Sequence, residues 1–321
     1  MSTCGTGPDF SSGFPAFVSA GDILTDLVRL DAPDGAPAHA ASQWRAHPGG
    51  AGWNVARAVA RLGLPTACAG ALGTDNFSDE LWQASLAAGL DMRFMERVER
   101  PPLLAIVHKT QPPAYYFIGE QSADLAFDPA KLPEGWRAHA KWAHFGGISL
   151  VRQPLGETLA TLAAELRAAG VKISFDPNCR SLMAQGYAPI LARMAALADL
   201  IKVSDEDLVM LFPGSGEAEA IAALRALNPA ATLLVTRGAQ TATLFTADEV
   251  IVEASPPRVE VADTVGAGDA SIGGLLFSLM SAPRRTWRQH LAFALAAGAA
   301  ACRRAGAHSP TLDEVVALLA D

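Results

Sequence analysis

The stretch Asp263-Thr264-Val265-Gly266-Ala267-Gly268-Asp269 is followed at once by an apolar run with helical spacing that begins at Ala270. The first amides of a helix have no partner inside it and lie at the positive end of the helix dipole, so this stretch favours an anion. Gly266 and Gly268 let the backbone approach that anion closely because they have no side chain. Asp269 places a carboxylate beside the same anion. A reaction that needs a base next to a phosphate requires such a carboxylate, whereas a plain structural turn does not.

Outward from this stretch, short apolar runs typical of buried strands alternate with segments of helical spacing. The predicted strands are residues 17–20, 171–175, 200–203 and 233–236. The predicted helices include residues 51–62, which end at Gly63, and a segment with Leu159, Leu162 and Leu166 on one face. Strands that alternate with helices pair in parallel. The sequence therefore predicts an α/β fold, with a mostly parallel central sheet and helices on both faces.

Two segments interrupt this alternation. Residues 31–47 and about 92–119 lack helical spacing, and within the second segment residues 103–107 and 114–118 predict antiparallel strands. Strands inserted into an α/β fold often form a lid that excludes water from a reacting site. We therefore predict a single α/β domain over residues 16–321 with a small β-strand lid. The Gly/Ser/Pro-rich residues 1–15 are predicted to be flexible.

Composition narrows the class of protein. The chain has 50% hydrophobic and 18% charged residues, enough to bury a large core, and its formal net charge is −8. The negative charge argues against nucleic acid or an anionic membrane as the main partner. The apolar runs are too short to span a bilayer, and the N-terminus lacks the pattern of a secretory signal. Four widely spaced cysteines without a Cys-x-x-Cys pair indicate reduced thiols. We therefore expect a cytoplasmic protein that acts on small molecules.

A second glycine motif reads Pro48-Gly49-Gly50-Ala51-Gly52-Trp53-Asn54 and opens the predicted helix 51–62. Gly49 and Gly50 allow a ligand to lie against the backbone, and Asn54 offers both a donor and an acceptor. The alternative is a glycine-rich turn in which Asn54 is a local cap. A dinucleotide fingerprint does not fit, because the third glycine is missing and no central strand precedes the motif. The chain also has no Gly-Lys-Ser/Thr, which excludes a Walker-type site.

Two carboxylates follow the first predicted strand, Asp22 and Asp26. Ligands of open α/β sheets bind at the carboxyl ends of the strands, and carboxylates accept hydrogen bonds from sugar hydroxyls. Either residue could instead cap a turn. Both alternatives remain open for each residue.

The two glycine motifs, in this order and in opposite halves of the chain, resemble those of the ribokinase-like (PfkB-type) carbohydrate kinases. The resemblance covers about residues 16–317. Residues 175–180, Phe-Asp-Pro-Asn-Cys-Arg, are similar to the Asp-Pro-Asn-x-Arg segment of fructokinase-like and ketodeoxygluconate-kinase-like members. Residues 202–207 lie where the family has Asn/Ser-x-x-Glu. Residues 234–239 resemble its nucleotide-side strand and loop, and residues 300–307 its adenine-side helix and cation loop.

The resemblance implies an enzyme that transfers phosphate from ATP to a sugar hydroxyl, with Mg²⁺ as a cofactor. It implies Asp269 as the catalytic base and the amides of Gly266, Ala267 and Gly268 as the anion hole. The other implied site residues are Asp26, Gly49, Gly50, Asn54 and Arg180 for the sugar, Ser204, Thr236 and Gly238 for the nucleotide, Asp207 for Mg²⁺ through water, and Asp263 with residues 306–307 for a monovalent cation, K⁺. The family usually has Glu at the position of Asp207, so this carboxylate is one methylene shorter.

The acceptor is less closely defined than the chemistry. The Asp-Pro-Asn-x-Arg and Lys-Val-Ser-Asp-Glu segments resemble the fructokinase-like branch most, while ribose and 2-keto-3-deoxygluconate stay open. A nucleoside kinase of the same superfamily is a second hypothesis. A sugar or nucleotide sensor without catalysis is a third, and Asp269 argues against it because a sensor needs no base at an anion hole.

The predicted lid carries three consecutive aromatic residues, Tyr115, Tyr116 and Phe117. Alternation along a strand predicts that Tyr115 and Phe117 point one way and Tyr116 the other. Exposed lid strands also favour pairing with a second subunit, so a homodimer through the lid is expected.

Overall fold

The computed structural model describes residues 13–30, 43–110, 113–180, 183 and 186–320. The strands in this part of the chain are β1 Phe17–Ala20, β2 Leu24–Arg29, β3 Trp44–Gly49, β4 Thr66–Leu72, β5 Met95–Arg97, β6 Leu104–Thr110, β7 Pro113–Ile118, β8 Trp142–Gly146, β9 Lys172–Asp176, β10 Leu200–Ser204, β11 Thr232–Thr236, β12 Ala242–Phe245 and β13 Ile251–Ala254. The helices are α1 Ala51–Arg61, α2 Asn76–Ala87, α3 Leu155–Ala168, α4 Ala188–Leu197, α5 Asp205–Leu211, α6 Glu217–Leu227, α7 Ala267–Ser281, α8 Trp287–Ala301 and α9 Leu312–Ala317.

Nine of the strands form one large sheet in the order β13-β12-β11-β10-β9-β8-β1-β4-β5. Neighbouring strands from β11 through to β5 pair in parallel, whereas the pairs β11–β12 and β12–β13 are antiparallel. The predicted α/β fold with a mostly parallel central sheet is therefore confirmed. The predicted strand 17–20 matches β1, and the other three predicted strands begin and end within one residue of β9, β10 and β11.

Helices cover both faces of this sheet, and side chains of β10 point alternately into the two cores. Ile201 and Val203 lie in the core formed with α3, α4 and α6, whereas Leu200 lies in the core formed with α1, α7 and α8. Full burial of an aliphatic side chain stabilises a fold by roughly 1.5–3 kcal/mol. Burial on both faces therefore stabilises β10, which ends at the carboxyl edge of the sheet.

Helix α7 begins at Ala267, three residues before the predicted start at Ala270. Gly266 is the N-cap and has φ 77°, a left-handed conformation that glycine adopts without strain. The chain can therefore turn into the helix directly after Gly266. As a result, Ala267, Gly268 and Asp269 form the first turn of the helix.

Helices α1 and α7 lie very close together. A Cβ placed on Gly273 would come within 2.9 Å of Ala58 Cβ, so the glycine permits the close approach. On its other side α7 lies equally close to α8, where a Cβ on Gly274 would meet Ala297 Cβ at 2.6 Å. These contacts dock α1, α7 and α8 as one layer.

The lid is a separate four-stranded sheet in the order β3-β2-β6-β7. Its antiparallel pair β6–β7 places Leu104 opposite Ile118, as predicted for the segments 103–107 and 114–118. Strand β2 joins this sheet as well, pairing with β3 in an antiparallel and with β6 in a parallel direction.

The limits of the lid differ from the predicted segments. Residues 31–42 of the first segment lie outside the described residues, and the segment enters the sheet at β3. In the second segment, Met95 pairs with Gly70 of β4, so β5 extends the large sheet instead of the lid. Met95 is buried in the core around α2, which accounts for this pairing.

No helix in the described ranges is both long and apolar enough to cross a membrane. Cys68, Cys179 and Cys302 carry free thiols.

Candidate active site

The carboxyl edge of the large sheet brings the predicted site residues together. Parallel neighbours end at the same edge, so the predicted residues Ser204, at the end of β10, and Thr236, at the end of β11, lie side by side. Asp176, which was not predicted as a site residue, ends β9 next to them. Ser204 and Thr236 face each other in register. The N-terminus of α1 reaches the same edge, where the amide of Trp53 donates to the carbonyl of Asp22 just beyond β1. The first turn of α7 reaches it as well, because Gly268 lies against Lys202 of β10.

The first turn of α7 contains the three amides of the predicted anion hole. The amides of Gly266 and Gly268 make no hydrogen bond within the described residues. The amide of Ala267 differs, because it donates to the carbonyl of Thr264 at 3.2 Å. Two of the three predicted donors are therefore free, and the positive end of the helix dipole is added to them.

The carboxylate of Asp269 lies beside these amides and is 9% exposed. Its Oδ2 accepts a hydrogen bond of 2.9 Å from Asn54 Nδ2, which joins α1 and α7 across 215 residues of sequence. Burial raises the pKa of Asp269, whereas the Asn54 hydrogen bond and the charge of Lys202 lower it. Oδ1 of Asp269 accepts no hydrogen bond from the described residues, so one oxygen is held and the other is open.

Asn54 presents a second open acceptor. Its Oδ1 is buried and has no hydrogen-bond partner in the described residues. A buried polar atom left unpaired costs about 1–3 kcal/mol, so a ligand hydroxyl would be a stabilising partner. The alternative predicted for Asn54 was a local cap of α1. The structure does not support it, because Gly50, the N-cap of α1, makes no side-chain cap bond and the side-chain amide of Asn54 donates to Asp269 instead.

Asp26 and Asp22 have different environments. Asp22 accepts hydrogen bonds from the amides of Ile148 at 3.0 Å and Ser149 at 2.7 Å, and from the Ser149 hydroxyl. The structure thus gives Asp22 the turn-capping role. The carboxylate of Asp26 accepts no such bonds from the residues that the structure describes. Burial raises its pKa to about 7, against the opposing charge of Arg180.

Gly49 and Gly50, in the second glycine motif, are required by close contacts. A Cβ on Gly49 would overlap Oδ2 of Asp26, and a Cβ on Gly50 would overlap the carbonyl oxygen of Asp22. Gly50 is also the N-cap of α1 with φ 111°, which side chains rarely allow. Because neither glycine has a Cβ, the Asp26 carboxylate can lie against Gly49, and the N-terminus of α1 can lie against the Asp22 carbonyl.

Arg180 lies between the body and the lid. Its guanidinium donates to the carbonyl of Cys179 at 2.9 Å and lies 5.4 Å from the ring centroid of Tyr115. Tyr115 stacks on Phe117 with ring centroids 6.5 Å apart, while Tyr116 is 48% exposed on the other face. The predicted alternation of the three aromatic residues is confirmed.

Asp207 caps its own helix. Its Oδ2 accepts from the amide of Ser204 at 2.7 Å and the Ser204 hydroxyl at 2.8 Å, and its Oδ1 accepts from the amide of Cys179 at 2.7 Å. A carboxylate offers about four acceptor sites, so Oδ1 retains one. Within the described residues no group of three or more His, Cys, Asp or Glu could hold a metal ion.

Asp263 joins the loop before α7 to the loop after α8. Its Oδ1 accepts from the amide of Val265 at 3.1 Å and its Oδ2 from the amide of Gly306 at 2.8 Å. Gly266 touches the second loop, since a Cβ there would lie 3.0 Å from Ala307 Cβ. Gly238 follows β11 in a left-handed conformation, and a Cβ there would meet nothing within 4 Å.

Two charged residues at this edge were missed by the sequence reasoning. Lys202 Nζ lies 3.0 Å from Asp176 Oδ2, and their side chains are only 6% and 3% exposed. The signal was present in the sequence, because a lysine interrupts the apolar run Leu200-Ile201-Lys202-Val203. A charge inside a buried strand needs a partner, and only the register of β9 and β10 identifies it.

Known proteins resemble this chain over nearly its whole length. The model of the pfkB family carbohydrate kinase matches residues 16–314. A fructokinase from Rhizobium leguminosarum bv. trifolii is 35% identical over 274 residues, which are 84% of this chain and 81% of the relative.

Solved structures agree with this comparison. The fructokinase of Xylella fastidiosa with bound ATP has a TM-score of 0.84 and 28% identity, and the match covers 95% of this chain and 98% of the other. The aminoimidazole riboside kinase of Salmonella enterica, complexed with aminoimidazole riboside and an ATP analogue, has a TM-score of 0.79 and 31% identity over 94% and 99% of the two chains.

Proposed function

The chain belongs to the pfkB family of carbohydrate kinases, and on this basis we propose that it transfers the γ-phosphate of ATP to a primary hydroxyl of a monosaccharide, with fructose the favoured acceptor. The observation that carries the proposal is the hydrogen bond between Asn54 and Asp269 beside the free amides of α7. It supports the proposal because it orients a carboxylate beside amides that have no partner among the described residues.

In this mechanism Asp269 Oδ1 accepts the proton of the sugar hydroxyl, whose oxygen attacks the γ-phosphorus in line. The bond to the ADP oxygen breaks, and ADP leaves with the electron pair. Because the transition state is loose and the proton is lost late, the carboxylate need not be a strong base. The amides of Gly266 and Gly268 stabilise charge on the transferred group, and positioning supplies much of the rate.

A magnesium ion would neutralise charge on the phosphate oxygens when it is bound. Mg²⁺ keeps several waters and uses few protein carboxylates, so a three-ligand cluster is not needed. Asp207 Oδ1 accepts one hydrogen bond from the chain, so we propose that its remaining acceptor site takes one metal-bound water. Ser204 and Asp207 are therefore proposed to hold Mg²⁺ through water.

The sugar is proposed to lie between the body and the lid. Asp26 accepts hydrogen bonds from its hydroxyls, Asn54 Oδ1 provides a further acceptor, and Arg180 and the backbone at Gly49 and Gly50 complete the contacts. The nucleotide is proposed to lie against Thr236 and Gly238 at the end of β11.

An aminoimidazole riboside is the second candidate acceptor. Tyr115 and Phe117 form a stacked aromatic pair next to Arg180, and such a surface suits a flat heterocycle as well as a sugar ring. The relative from Salmonella enterica binds that riboside.

A coupled ADP-release assay over fructose, ribose, 2-keto-3-deoxygluconate, aminoimidazole riboside and other nucleosides tests the proposal. We expect the highest kcat/KM with fructose. The highest value with the riboside would replace fructose by the second candidate. An enzyme preparation that binds ATP and releases no ADP with any acceptor would contradict the kinase function and favour a sensor.

Two further proposals concern the loops and the lid. K⁺ is proposed near Asp263 and residues 306–307, where two loops meet, and activity with K⁺ replaced by a bulky organic cation checks it.

A second copy is proposed to pair with the exposed lid face that carries Tyr116 and Ile118, and the mass in solution checks it.

A change at Asp26 should affect stability in a pH-dependent way. The folded pKa of about 7 exceeds the unfolded value of about 3.9, so the folded state binds this proton more tightly. The cost of ionising Asp26 is therefore absent near pH 4, grows as the pH rises towards 7 and is constant above it. Asp26→Asn removes this cost and should raise Tm by roughly 2–4 °C at pH 8, with little gain at pH 4.

Thermal unfolding of both proteins from pH 4 to 8 measures this effect. The exposed Asp248, replaced by Asn, provides the control and should show no such trend. The same Asp26→Asn variant should raise the KM for sugar about tenfold or more, because hydrogen bonds to a charged acceptor are lost. A Tm gain that does not depend on pH would contradict the ionisation account.

A further inference from the structure

Lys202 is a buried ammonium group with hydrogen-bonding capacity to spare. Its side chain is 6% exposed, and its only acidic partner within the described residues is Asp176, at 3.0 Å. An ammonium carries three N–H donors and no acceptor. It makes no other hydrogen bond among the described residues. Asp176 is therefore the only acceptor that the described residues offer to these three donors.

The ammonium points at the first turn of α7. A Cβ placed on Gly268 would lie 3.1 Å from Lys202 Nζ and 3.7 Å from its Cε, so the amine rests directly on that glycine. The free amides of Gly266 and Gly268 are at the same turn. Burial works against the charge of Lys202, yet Asp176, Asp207 and Asp269 outweigh it and raise its pKa. The group thus stays protonated beside the anion site.

Asp176 holds this ammonium in a defined direction. Asp176 Oδ1 accepts a hydrogen bond of 2.9 Å from the amide of Asn178, which orients the carboxylate. Its Oδ2 is buried, has no well-aligned hydrogen bond within the described residues, and meets the ammonium as an ion pair. A purely structural ion pair in a protein core would satisfy its remaining donors and acceptors. In this pair Asp176 Oδ2 has no such hydrogen bond, and the described residues give the ammonium no partner other than Asp176.

We propose that Lys202 is a further catalytic residue, whose ammonium binds the transferred phosphoryl group together with the amides of Gly266 and Gly268, and that Asp176 positions it. This inference rests on the proposed function. The proton balance of the reaction is unchanged, because Lys202 keeps its protons and supplies only charge and hydrogen bonds. An anion at α7 would provide the acceptors that the ammonium lacks.

Three variants separate this role from a structural one: Lys202→Met, Asp176→Asn and the double variant. Loss of one donor to a developing anion lowers kcat about 10²–10³-fold, which is the result expected for Lys202→Met. Asp176→Asn keeps the ammonium but holds it less firmly, so we expect a fall of about tenfold, or roughly 1.4 kcal/mol. Lys202→Met also leaves a buried carboxylate unpaired and should lower Tm.

The double variant removes both charges and should recover Tm, since no unpaired charge remains. Its kcat should nevertheless stay close to that of Lys202→Met. A double variant that regains most of the wild-type kcat would show that the pair is structural and would overturn the inference. This variant also keeps the test available if Lys202→Met does not fold.

A binding measurement without acceptor makes the test independent of the sugar. Calorimetry with ADP and with ATP, each in the presence of Mg²⁺, measures the two Kd values. The Kd of ADP divided by the Kd of ATP is the contribution of the γ-phosphate to binding. Lys202→Met should reduce that ratio about tenfold through weaker ATP binding, with the Kd of ADP nearly unchanged. Equal weakening of both nucleotides would contradict the inference.

The same data separate this inference from the proposed function. If wild-type enzyme phosphorylates none of the acceptors but the ratio still falls in Lys202→Met, the proposed function fails and the phosphate contact stands. If wild-type enzyme is active and the ratio does not change, the Lys202 inference alone fails.

Discussion

Replacement of Asp269 by asparagine is expected to lower kcat for phosphoryl transfer about 10²–10⁴-fold, with nucleotide affinity and fold preserved. An amide oxygen cannot take the hydroxyl proton. The hydrogen bond from Asn54 Nδ2 can persist, because the new side chain still offers an oxygen at that distance. The protein should not lose stability, since burial raises the pKa of Asp269 and the ionised form is therefore the costly one.

Steady-state kinetics and ATP binding on the same preparation measure this effect. Ser281→Ala is a suitable control, because Ser281 is in the last turn of α7 and donates only to Phe277 of its own helix. It should match the wild type in kcat. An Asp269→Asn enzyme with wild-type kcat would remove Asp269 from the role of base.

Gly50→Ala is expected to abolish measurable sugar binding and to destabilise the protein by several kcal/mol, about 3 or more. The new Cβ would overlap the Asp22 carbonyl, and the φ of 111° would be strained for alanine. Relief of the overlap would move the start of α1. The amide of Trp53, which donates to that carbonyl at 3.2 Å, and Asn54 would move with it.

Gly63 provides a matched control for the backbone strain. It follows α1 with the same φ of 111°, and a Cβ there would meet nothing within 4 Å. Gly63→Ala should therefore destabilise through strain alone, by about 1–3 kcal/mol, and leave the KM for sugar unchanged. Chemical denaturation and sugar titration compare the two variants. Equal losses of stability in Gly50→Ala and Gly63→Ala would mean that the overlap with the Asp22 carbonyl adds nothing to the destabilisation.

The sheet and both glycine motifs were predictable because their signals are local. A buried strand is a short apolar run, and a helix N-terminus that approaches a ligand needs glycine within a few residues. Tyr115 and Phe117 could be separated from Tyr116 for the same reason, since alternation is a property of one strand.

Contacts between distant segments could not be predicted in this way. Asp22 and Asp26 both follow β1, and only the turn at Ile148 and Ser149, more than 120 residues later, decides which one is satisfied internally. The pairing of Lys202 with Asp176 depends likewise on the register of two strands. Strand β2 itself was not predicted, and its place in the lid depends on pairing with β3 and β6, which no local pattern determines.

The close docking of α1 on α7 has a consequence for how such enzymes diverge. The proposed base, its orienting amide and the phosphate-binding turn belong to one rigid layer, which Gly273 and Ala58 hold together. Tyr115 and Phe117 belong to a different sheet, joined to the body through short connections. Mutations can therefore accumulate on the lid and exchange one acceptor for another while the machinery of phosphate transfer is inherited intact.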